Sequence, residues 1–488
     1  MYTWLPLASN ADLAKLEAEI TAEYSPKTIF KKLMEGLSEA VKGVLVERNY
    51  IDKDYRSTYY NFYSKKGMHY LADCVRLHFF DETVGFDEKS LRIISPDSNL
   101  ADHYFGYMVL RPTGIATIGR SVLSPDIKKG ISGPMIHATH KVHLLGHKLS
   151  VVGFPSMDQH IDISVCAHAA CWSILRHYSE RYSNYREFLT HDITLMAQQF
   201  NPGGLVPSKG LEVSHAERVF QQAATFPVVI TRDDQKGHTD RAFYRQLLAY
   251  IESGFPLFAA MHSREHAIAL VGYDWKPKPT GKPPKKLEFA WDLVRSLTVV
   301  DDNFLAYRSV PLKAKGTDYG CDDIDAFIVP LPEKVFYPAD AVDRLAPTLF
   351  KLGAVLGLPP ETDCTIRYFI TTGSALRHFM RDRESEFDPK LLQTVMVLPF
   401  AQFIWVVEIA TKADWEKGQI SARAILDATA SLRETFPFWL FHSRTAALVF
   451  DRQAVNAELA GLRALKLAGM ENTALTRWDQ NLRLIQSK

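Results

Sequence analysis

Three residues in the middle of the chain, Cys166, His266 and Asp301, are of the types that carry out nucleophilic catalysis by a thiol. Cys166 stands where an extended, polar segment gives way to small and apolar residues typical of a buried helix. A cysteine at a helix start lies at the positive end of the helix dipole, which favours the nucleophilic thiolate. His266 begins an alternating apolar run, and Asp301 follows an aliphatic run that ends at Val300. This order predicts a nucleophile, a base and a carboxylate that orients the base.

Acyl transfer also needs hydrogen-bond donors for the oxyanion of the intermediate. The backbone N–H of Cys166 could be one donor, and the side-chain amide of Gln159, seven residues earlier, could be another. Asp302 and Asn303 are alternatives to Asp301, because a shift of one residue along a strand turns the side chain to the other face.

The residues around these positions predict the elements that would hold them in place. Periodicity and the Gly and Pro positions indicate four helices and four strands here, and no internal repeat is visible. The predicted helices are 166–178, 187–200, 214–223 and 241–254, and the predicted strands are 226–231, 255–262, 266–274 and 297–303. The Pro- and Lys-rich stretch 275–286 is predicted to be a solvated loop.

The middle of the chain, residues 155–332, resembles the papain-like cysteine peptidase superfamily. The branch most similar to it processes bacteriocin leaders in ABC exporters and includes soluble relatives. The resemblance is carried by VCAHAACWSILRHY, in which a Cys opens a helix after an upstream Gln, by LLAYIESGFP, by HAIALVGYD, and by the Asp after SLTVV. It implies a papain-like core in which Cys166 is the nucleophile, His266 the base, Asp301 the orienter and Gln159 the oxyanion donor.

A second register of the same resemblance places the nucleophile at Cys171. The stretch Cys171-Trp172-Ser173 is similar to the Cys-Trp-small stretch of plant and lysosomal papain-like enzymes. In that register Val165 would stand at the Gln position and could not donate a hydrogen bond, and Cys171 would lie a turn and a half into the helix. Cys166 is therefore the preferred nucleophile.

Composition limits the classes of function. A length of 488 residues predicts two or three domains. The formal net charge of +1 gives no electrostatic basis for binding nucleic acid or an anionic membrane. No basic, apolar leader stands at the N-terminus, and five scattered cysteines without metal-binding spacing fit reduced thiols. We therefore expect a bacterial-type cytoplasmic protein without a metal or another cofactor.

Two further regions flank the middle one. Residues 1–154 are predicted to hold helices at 10–24 and 28–48 and then an antiparallel sheet. Residues 333–488 are predicted to be α+β, with strands near 364–372 and 403–410 and helices near 340–355, 413–435 and 455–470. Four histidines share one stretch that is predicted to be a partly exposed strand rather than a metal site: His137, His140, His143 and His147.

The sequence thus predicts an α+β cysteine hydrolase, and a peptidase in particular, that cleaves a peptide or amide bond through a thioester. Two alternatives remain: acyl transfer or glutamine deamidation by the same triad, and an inert papain-like binding module. The expected partner is a peptide or protein substrate, and the flanking regions could recruit a further protein.

Overall fold

Helices and mainly antiparallel sheets build the protein, so the predicted α+β class is confirmed. Three large sheets follow one another along the chain. The computed structural model describes residues 2–7, 10–21, 32–33, 36–81, 84–95, 99–113, 118–128, 130–159, 165–197, 211–275, 287–434, 436–450, 462–468, 470 and 473–485.

The first sheet has seven strands, each antiparallel to its neighbours. The strands of this region are β1 (Tyr2–Pro6), β2 (Gly43–Tyr50), β3 (Cys74–Phe80), β4 (Gly85–Asp87), β5 (Arg92–Ile94), β6 (Tyr104–Leu110), β7 (Ile118–Leu123), β8 (Gly133–Met135), β9 (Ala138–Leu144) and β10 (His147–Ser156). Their order in the sheet is β1-β2-β3-β6-β7-β10-β9, and β4 pairs with β5 separately. Helices α1 (Asn10–Thr21) and α2 (Lys53–Asn61) belong to this region.

The predicted helix over 28–48 is wrong at its C-terminal end, where the chain forms strand β2. Val44, Leu45 and Val46 are all buried, because β2 is covered on both faces and paired with β1 and β3. A short continuous apolar run of this kind fits a buried helix or a buried strand equally well by periodicity. The pairing of this segment with β1 and β3 makes it a strand. The predicted helix over 10–24 is confirmed as α1, and residues 22–24 lie outside the described ones.

The second sheet lies in the middle of the chain and has the order β11-β17-β12-β13-β15-β16. The strands of this region are β11 (Phe226–Thr231), β12 (Leu257–Met261), β13 (His266–Trp275), β14 (Glu288–Phe289), β15 (Val294–Val300), β16 (Tyr307–Pro311) and β17 (Ala326–Leu331). Of these, β14 is part of the third sheet. The helices are α3 (Cys166–Arg181), α4 (Thr190–Ala197), α5 (Val213–Gln222) and α6 (Arg241–Glu252). Each helix and strand predicted in this region is present, but the helix predicted over 187–200 begins only at Thr190 and the strand predicted over 297–303 ends at Val300. The predicted loop lies outside the described residues from residue 276 to 286.

The third sheet has the order β14-β18-β19-β21-β22-β23-β24. Its region contains β18 (Cys364–Thr372), β19 (Phe403–Thr411), β20 (Gln419–Ile420), β21 (Ala422–Asp427), β22 (Phe438–Ser443), β23 (Ala446–Phe450), β24 (Leu462–Lys466), β25 (Leu475–Thr476) and β26 (Arg483–Ile485). The helices are α7 (Ala339–Leu345), α8 (Gly353–Leu356), α9 (Gly373–Arg381), α10 (Pro389–Val397) and α11 (Lys412–Glu416). The strands predicted near 364–372 and 403–410 and the helical segment near 340–355 are confirmed.

Two helices predicted in the C-terminal region are wrong. The segment 413–435 is helical only as far as Glu416, because Gly418 takes a left-handed conformation with φ 69° that ends the helix. The chain then continues as β20 and β21, whose residues are almost all buried. In the segment 455–470, Leu462–Lys466 is an edge strand paired with β23, and residues 455–461 lie outside the described ones.

Strands pair across the predicted domain boundaries at 154/155 and 332/333. The division of the chain into three domains at these positions stays a prediction. β8 joins β13 of the second sheet, and β26 near the C-terminus joins β8. β14 pairs in parallel with β18 of the third sheet. Gly272 permits the first contact, because a Cβ at this position would lie 2.6 Å from the carbonyl oxygen of Pro134.

Buried ions join the second and third sheets. Arg367 in β18 contacts Glu252 at the end of α6 at 3.1 Å and Glu408 in β19 at 3.0 Å. Glu408 also accepts from Arg423 in β21 at 2.7 Å, and both of these side chains are fully buried. Each charge therefore has an opposite charge within hydrogen-bond reach, as burial requires.

Among the described residues, the model contains no helix whose length and apolar character would let it cross a bilayer.

Candidate active site

Cys166 is the first residue of α3, and its side chain is partly exposed at the start of an otherwise buried helix. The preceding Val165 is extended, with φ −112° and ψ 179°, so the chain enters the helix through a sharp change of direction. The N–H of Val165 donates to Nδ1 of His168 at 3.2 Å, which ties the first turn to the incoming segment. The helix α3 packs against β13, the strand that begins at His266, and against β10.

His266 is the first residue of β13 and pairs with Met261 in the β12–β13 hairpin. Glu265, immediately before it, has a left-handed backbone with φ 47°, so the chain turns tightly into the strand. β15 runs antiparallel to β13 with Ala269 opposite Val300. One more step in this register sets Asp301 across from residue 268, so His266 is its diagonal neighbour on the same face of the sheet. Diagonal neighbours of this kind lie within reach of long or ring side chains.

The carboxylate of Asp301 is held from several directions. Nε2 of His266 lies 3.0 Å from its Oδ1, which also accepts from the backbone N–H of Asn303 at 3.0 Å. Its Oδ2 accepts from the hydroxyl of Tyr319 at 2.5 Å, and Nη1 of Arg308 is 4.0 Å away. A carboxylate with these partners is fixed in orientation, and it fixes the imidazole ring in turn. With Nε2 committed to Asp301, Nδ1 is the ring nitrogen that remains for proton transfer.

The interactions around His266 favour the charged form of its imidazole. Burial lowers its pKa, but the hydrogen bond to Asp301, the interaction with the Cys166 thiol and the charges of both groups raise it to about 10. For Asp301, burial opposes ionisation, yet the hydrogen bond and charge of His266 and the bond from Tyr319 lower its pKa overall. The structure therefore brings Cys166, His266 and Asp301 together as one interacting group.

Cys171, the other candidate nucleophile, lies inside the core. Its side chain has no exposed surface, and burial, with the charge of Cys166 second, raises the pKa of its thiol. A thiol in such surroundings stays neutral and is inert as a nucleophile.

Gln159 lies three residues after the end of β10 and is half-buried. Residues 160–164, which connect it to α3, lie outside the described residues. Within the described part of the chain, the side-chain amide of Gln159 has no hydrogen bond to His266 or to any other residue. Asp158 beside it is anchored, because its Oδ1 accepts from Nζ of Lys32 at 2.8 Å. The role of Gln159 as an oxyanion donor stays a prediction.

Sequence reasoning missed Tyr319, Arg308 and Lys32 as neighbours of this site. Tyr319 stands in the loop after β16, and no spacing in the sequence connects it with Asp301. Asp302 was a candidate for the orienting role, but the bond to His266 is made by Asp301. The carboxylate of Asp302 is buried, and within the described residues neither of its oxygens has a hydrogen-bond partner.

One group of side chains in the described residues has the spacing of metal ligands. One ligand atom each of His266, Asp301 and Asp302 lies within 4.8 Å of the others. His266 and Asp301 are already bonded to each other, and Arg308 carries a positive charge beside Asp301. The arrangement therefore favours a His–Asp pair for proton transfer over a cation site.

The histidine-rich stretch forms the hairpin of β9 and β10. His143 is exposed, whereas His140 points the other way into the protein, as the alternation predicts. Burial, with the charge of Arg176 second, lowers the pKa of His140 to about 3, so its ring is neutral.

No protein-family model matches this chain, and a search of curated proteins returns no match.

Proposed function

We propose that this protein is a cysteine hydrolase with a papain-like core, and that it cleaves peptide or amide bonds. The observation that carries the proposal is the 3.0 Å contact of the His266 imidazole with the carboxylate of Asp301, together with the electrostatic interaction of the same ring with the thiol of Cys166. A thiol at a helix start, a base at a strand start and a carboxylate at the end of the neighbouring strand are the three groups that thiol catalysis requires.

The surrounding fold supports the same proposal. A buried helix that begins at the cysteine packs against an antiparallel sheet, and the sheet carries the histidine and the aspartate on adjacent strands. Cys166 is a partly exposed residue, whereas the Asp301 side chain is fully buried and shielded from water. Shielding strengthens the electrostatic interaction between the carboxylate and the imidazolium.

In the proposed reaction, the Cys166 thiolate attacks the carbonyl carbon and forms a C–S bond, while the carbonyl electrons move to the oxygen. The intermediate collapses, the C–N bond breaks, and the leaving nitrogen takes the proton from Nδ1 of His266. The neutral imidazole then takes a proton from water as the water oxygen attacks the thioester. Cleavage of the C–S bond releases the acid and restores the thiolate and the imidazolium.

The oxyanion of both intermediates needs donors close to the sulfur. The first N–H groups of a helix have no partner within the helix. The N–H of Cys166 is therefore suited to this role, and Gln159 is the proposed second donor. The positive end of the α3 dipole adds to the stabilisation of the negative oxygen.

A thiol-directed peptidyl acyloxymethyl ketone, read out by intact-protein mass spectrometry, tests the nucleophile. We expect one adduct on the wild-type protein, none on Cys166→Ala, and the wild-type rate on the matched control Cys171→Ala. Equal labelling of the wild-type protein and the Cys166→Ala variant would refute the proposed nucleophile.

Mass spectrometry of a peptide library after incubation identifies the reaction type. New termini that depend on Cys166 would support hydrolysis of peptide bonds. A shift of one dalton in glutamine-containing peptides would indicate deamidation, and a new amide between two peptides would indicate acyl transfer. An unreactive Cys166 in all these assays would favour a binding module.

All five cysteines are free thiols, which supports the proposal of a reducing, cytoplasmic location.

A further inference from the structure

Asp302 is the least satisfied charged group near the proposed catalytic residues. Its residue is only 7% exposed, and neither carboxylate oxygen has a hydrogen-bond partner among the described residues. A buried carboxylate without donors is costly unless it holds a proton or gains an opposite charge. It lies next to Asp301 in sequence, and one of its oxygens is within 4.8 Å of a ring nitrogen of His266.

Lys32 of the N-terminal region contacts Asp302, and Arg111 contacts Asp158, the second partner of Lys32. Nζ of Lys32 donates to the main-chain carbonyl of Asp302 at 3.0 Å and to Oδ1 of Asp158 at 2.8 Å. Arg111 donates to the main-chain carbonyl of Asp158 at 3.0 Å. One lysine therefore stands between two buried carboxyl groups and satisfies the side chain of only one of them.

On the side of the proposed catalytic residues, Asp302 lies near Asp301 and His266, and Nη1 of Arg308 is 4.0 Å from Oδ2 of Asp301. Burial and the negative charge of Asp301 raise the pKa of Asp302 to about 7, while His266 and Lys32 act in the opposite direction. The carboxyl group is thus neutral in mildly acidic solution and ionised in mildly alkaline solution.

We propose that Asp302 is a positioning residue that acts on His266 through space and increases the share of the thiolate–imidazolium pair when it ionises. This inference rests on the proposed function. The step that it controls moves one proton from Sγ of Cys166 to Nδ1 of His266, with no other bond changed. A negative charge beside the imidazole stabilises the imidazolium.

The first measurement is the rate at which iodoacetamide alkylates Cys166 between pH 5 and 10. In the wild-type protein we expect a rise with a midpoint near 7. In Asp302→Asn this rise disappears, and alkylation at pH 8.5 is slower than in the wild-type protein, because the imidazolium loses a negative charge beside it. The exposed residue Asp234 supplies the matched control, Asp234→Asn, which keeps the wild-type profile.

A second variant tests the sign. Lys32→Met removes the positive charge that favours ionised Asp302, so the midpoint moves to higher pH. A midpoint that stays in place in Lys32→Met, or a rise that persists in Asp302→Asn, would overturn the proposal.

Histidine-selective NMR separates this proposal from the proposed function. The ring carbon of His266, assigned with His266→Gln, should show an inflection near pH 7 that Asp302→Asn abolishes. If Cys166 proves unreactive but this inflection is present, the proposed reaction fails while the coupling of Asp302 to His266 stands. Absence of the inflection in the wild-type protein would overturn the coupling itself.

Discussion

Nε2 of His266 and Oδ1 of Asp301 are 3.0 Å apart, although 35 positions separate the two residues in the sequence. The contact follows from the antiparallel register of β13 and β15, which makes the two residues diagonal neighbours on one face. A rigid pair of strands therefore sets the direction in which the second ring nitrogen points.

Asp301→Asn should remove most of the reactivity of Cys166 while leaving the fold intact. The amide can no longer stabilise an imidazolium, and it can hold the ring in the wrong tautomer, so we expect a loss of at least about a hundredfold. Labelling rates with the peptidyl probe measure the loss, and a thermal melt checks the fold. Unchanged labelling in a folded variant would show that Asp301 does not orient the base.

Tyr319→Phe should have a smaller effect of the same kind. The variant removes the hydroxyl that donates to Oδ2 of Asp301 at 2.5 Å and leaves a buried acceptor unpaired. Leaving such a group unsatisfied costs about 1–3 kcal/mol. We expect a several-fold lower labelling rate and a pKa of His266 that changes measurably by NMR. A variant with a lower melting temperature but a wild-type pKa of His266 would indicate a purely structural role.

Stability should fall as the pH rises through the range in which His266 titrates. Its pKa in the folded state is about 10, compared with an ordinary value of 6.5, so the folded state binds the proton more tightly. The resulting stabilisation is complete below about pH 6.5 and is lost on approach to pH 10. Urea unfolding at pH 6 and pH 9.5 should give a larger difference for the wild-type protein than for His266→Gln. Equal differences would contradict the raised pKa.

Asp302 should also make the wild-type protein less stable at higher pH, but over a lower range. Its pKa is about 7 in the folded state and about 3.9 in an unfolded chain. Between these values folding takes up a proton, so stability decreases as the pH rises from about 4 to about 7. Urea unfolding at pH 5 and pH 8 should show this decrease in the wild-type protein and a smaller one in Asp302→Asn. The same decrease in both proteins would refute the assignment.

Glu408→Gln should destabilise the third sheet. The amide removes the negative charge that contacts Arg423 and one of the two negative charges that contact Arg367. Breaking a buried ion pair from one side costs about 3–5 kcal/mol. Denaturant unfolding measures the loss, with Asp234→Asn as a control for the removal of a surface charge. A loss below about 1 kcal/mol would show that the network contributes little.

The sequence alone predicted the elements around the proposed site because their local signals agree. Small residues followed by an apolar face indicate the helix that begins at Cys166, and alternation indicates the strand that begins at His266. The same reasoning failed for β2, β21 and β24. In those segments, burial on both faces or an edge position in a sheet outweighs a pattern that also suits a helix.

The identities of Cys166, His266 and Asp301, their order and the type of chemistry that they allow are written in the sequence, since residue type and local periodicity depend on near neighbours. Only the tertiary structure decided that Asp301, and not Asp302, bonds the imidazole, because the choice depends on the register of two strands. Only the tertiary structure, likewise, brought Tyr319, Arg308 and Lys32 to these aspartates and left the side chain of Asp302 without a donor among the residues that the structure describes. Such contacts join residues far apart in the chain, and no local pattern of side chains encodes them.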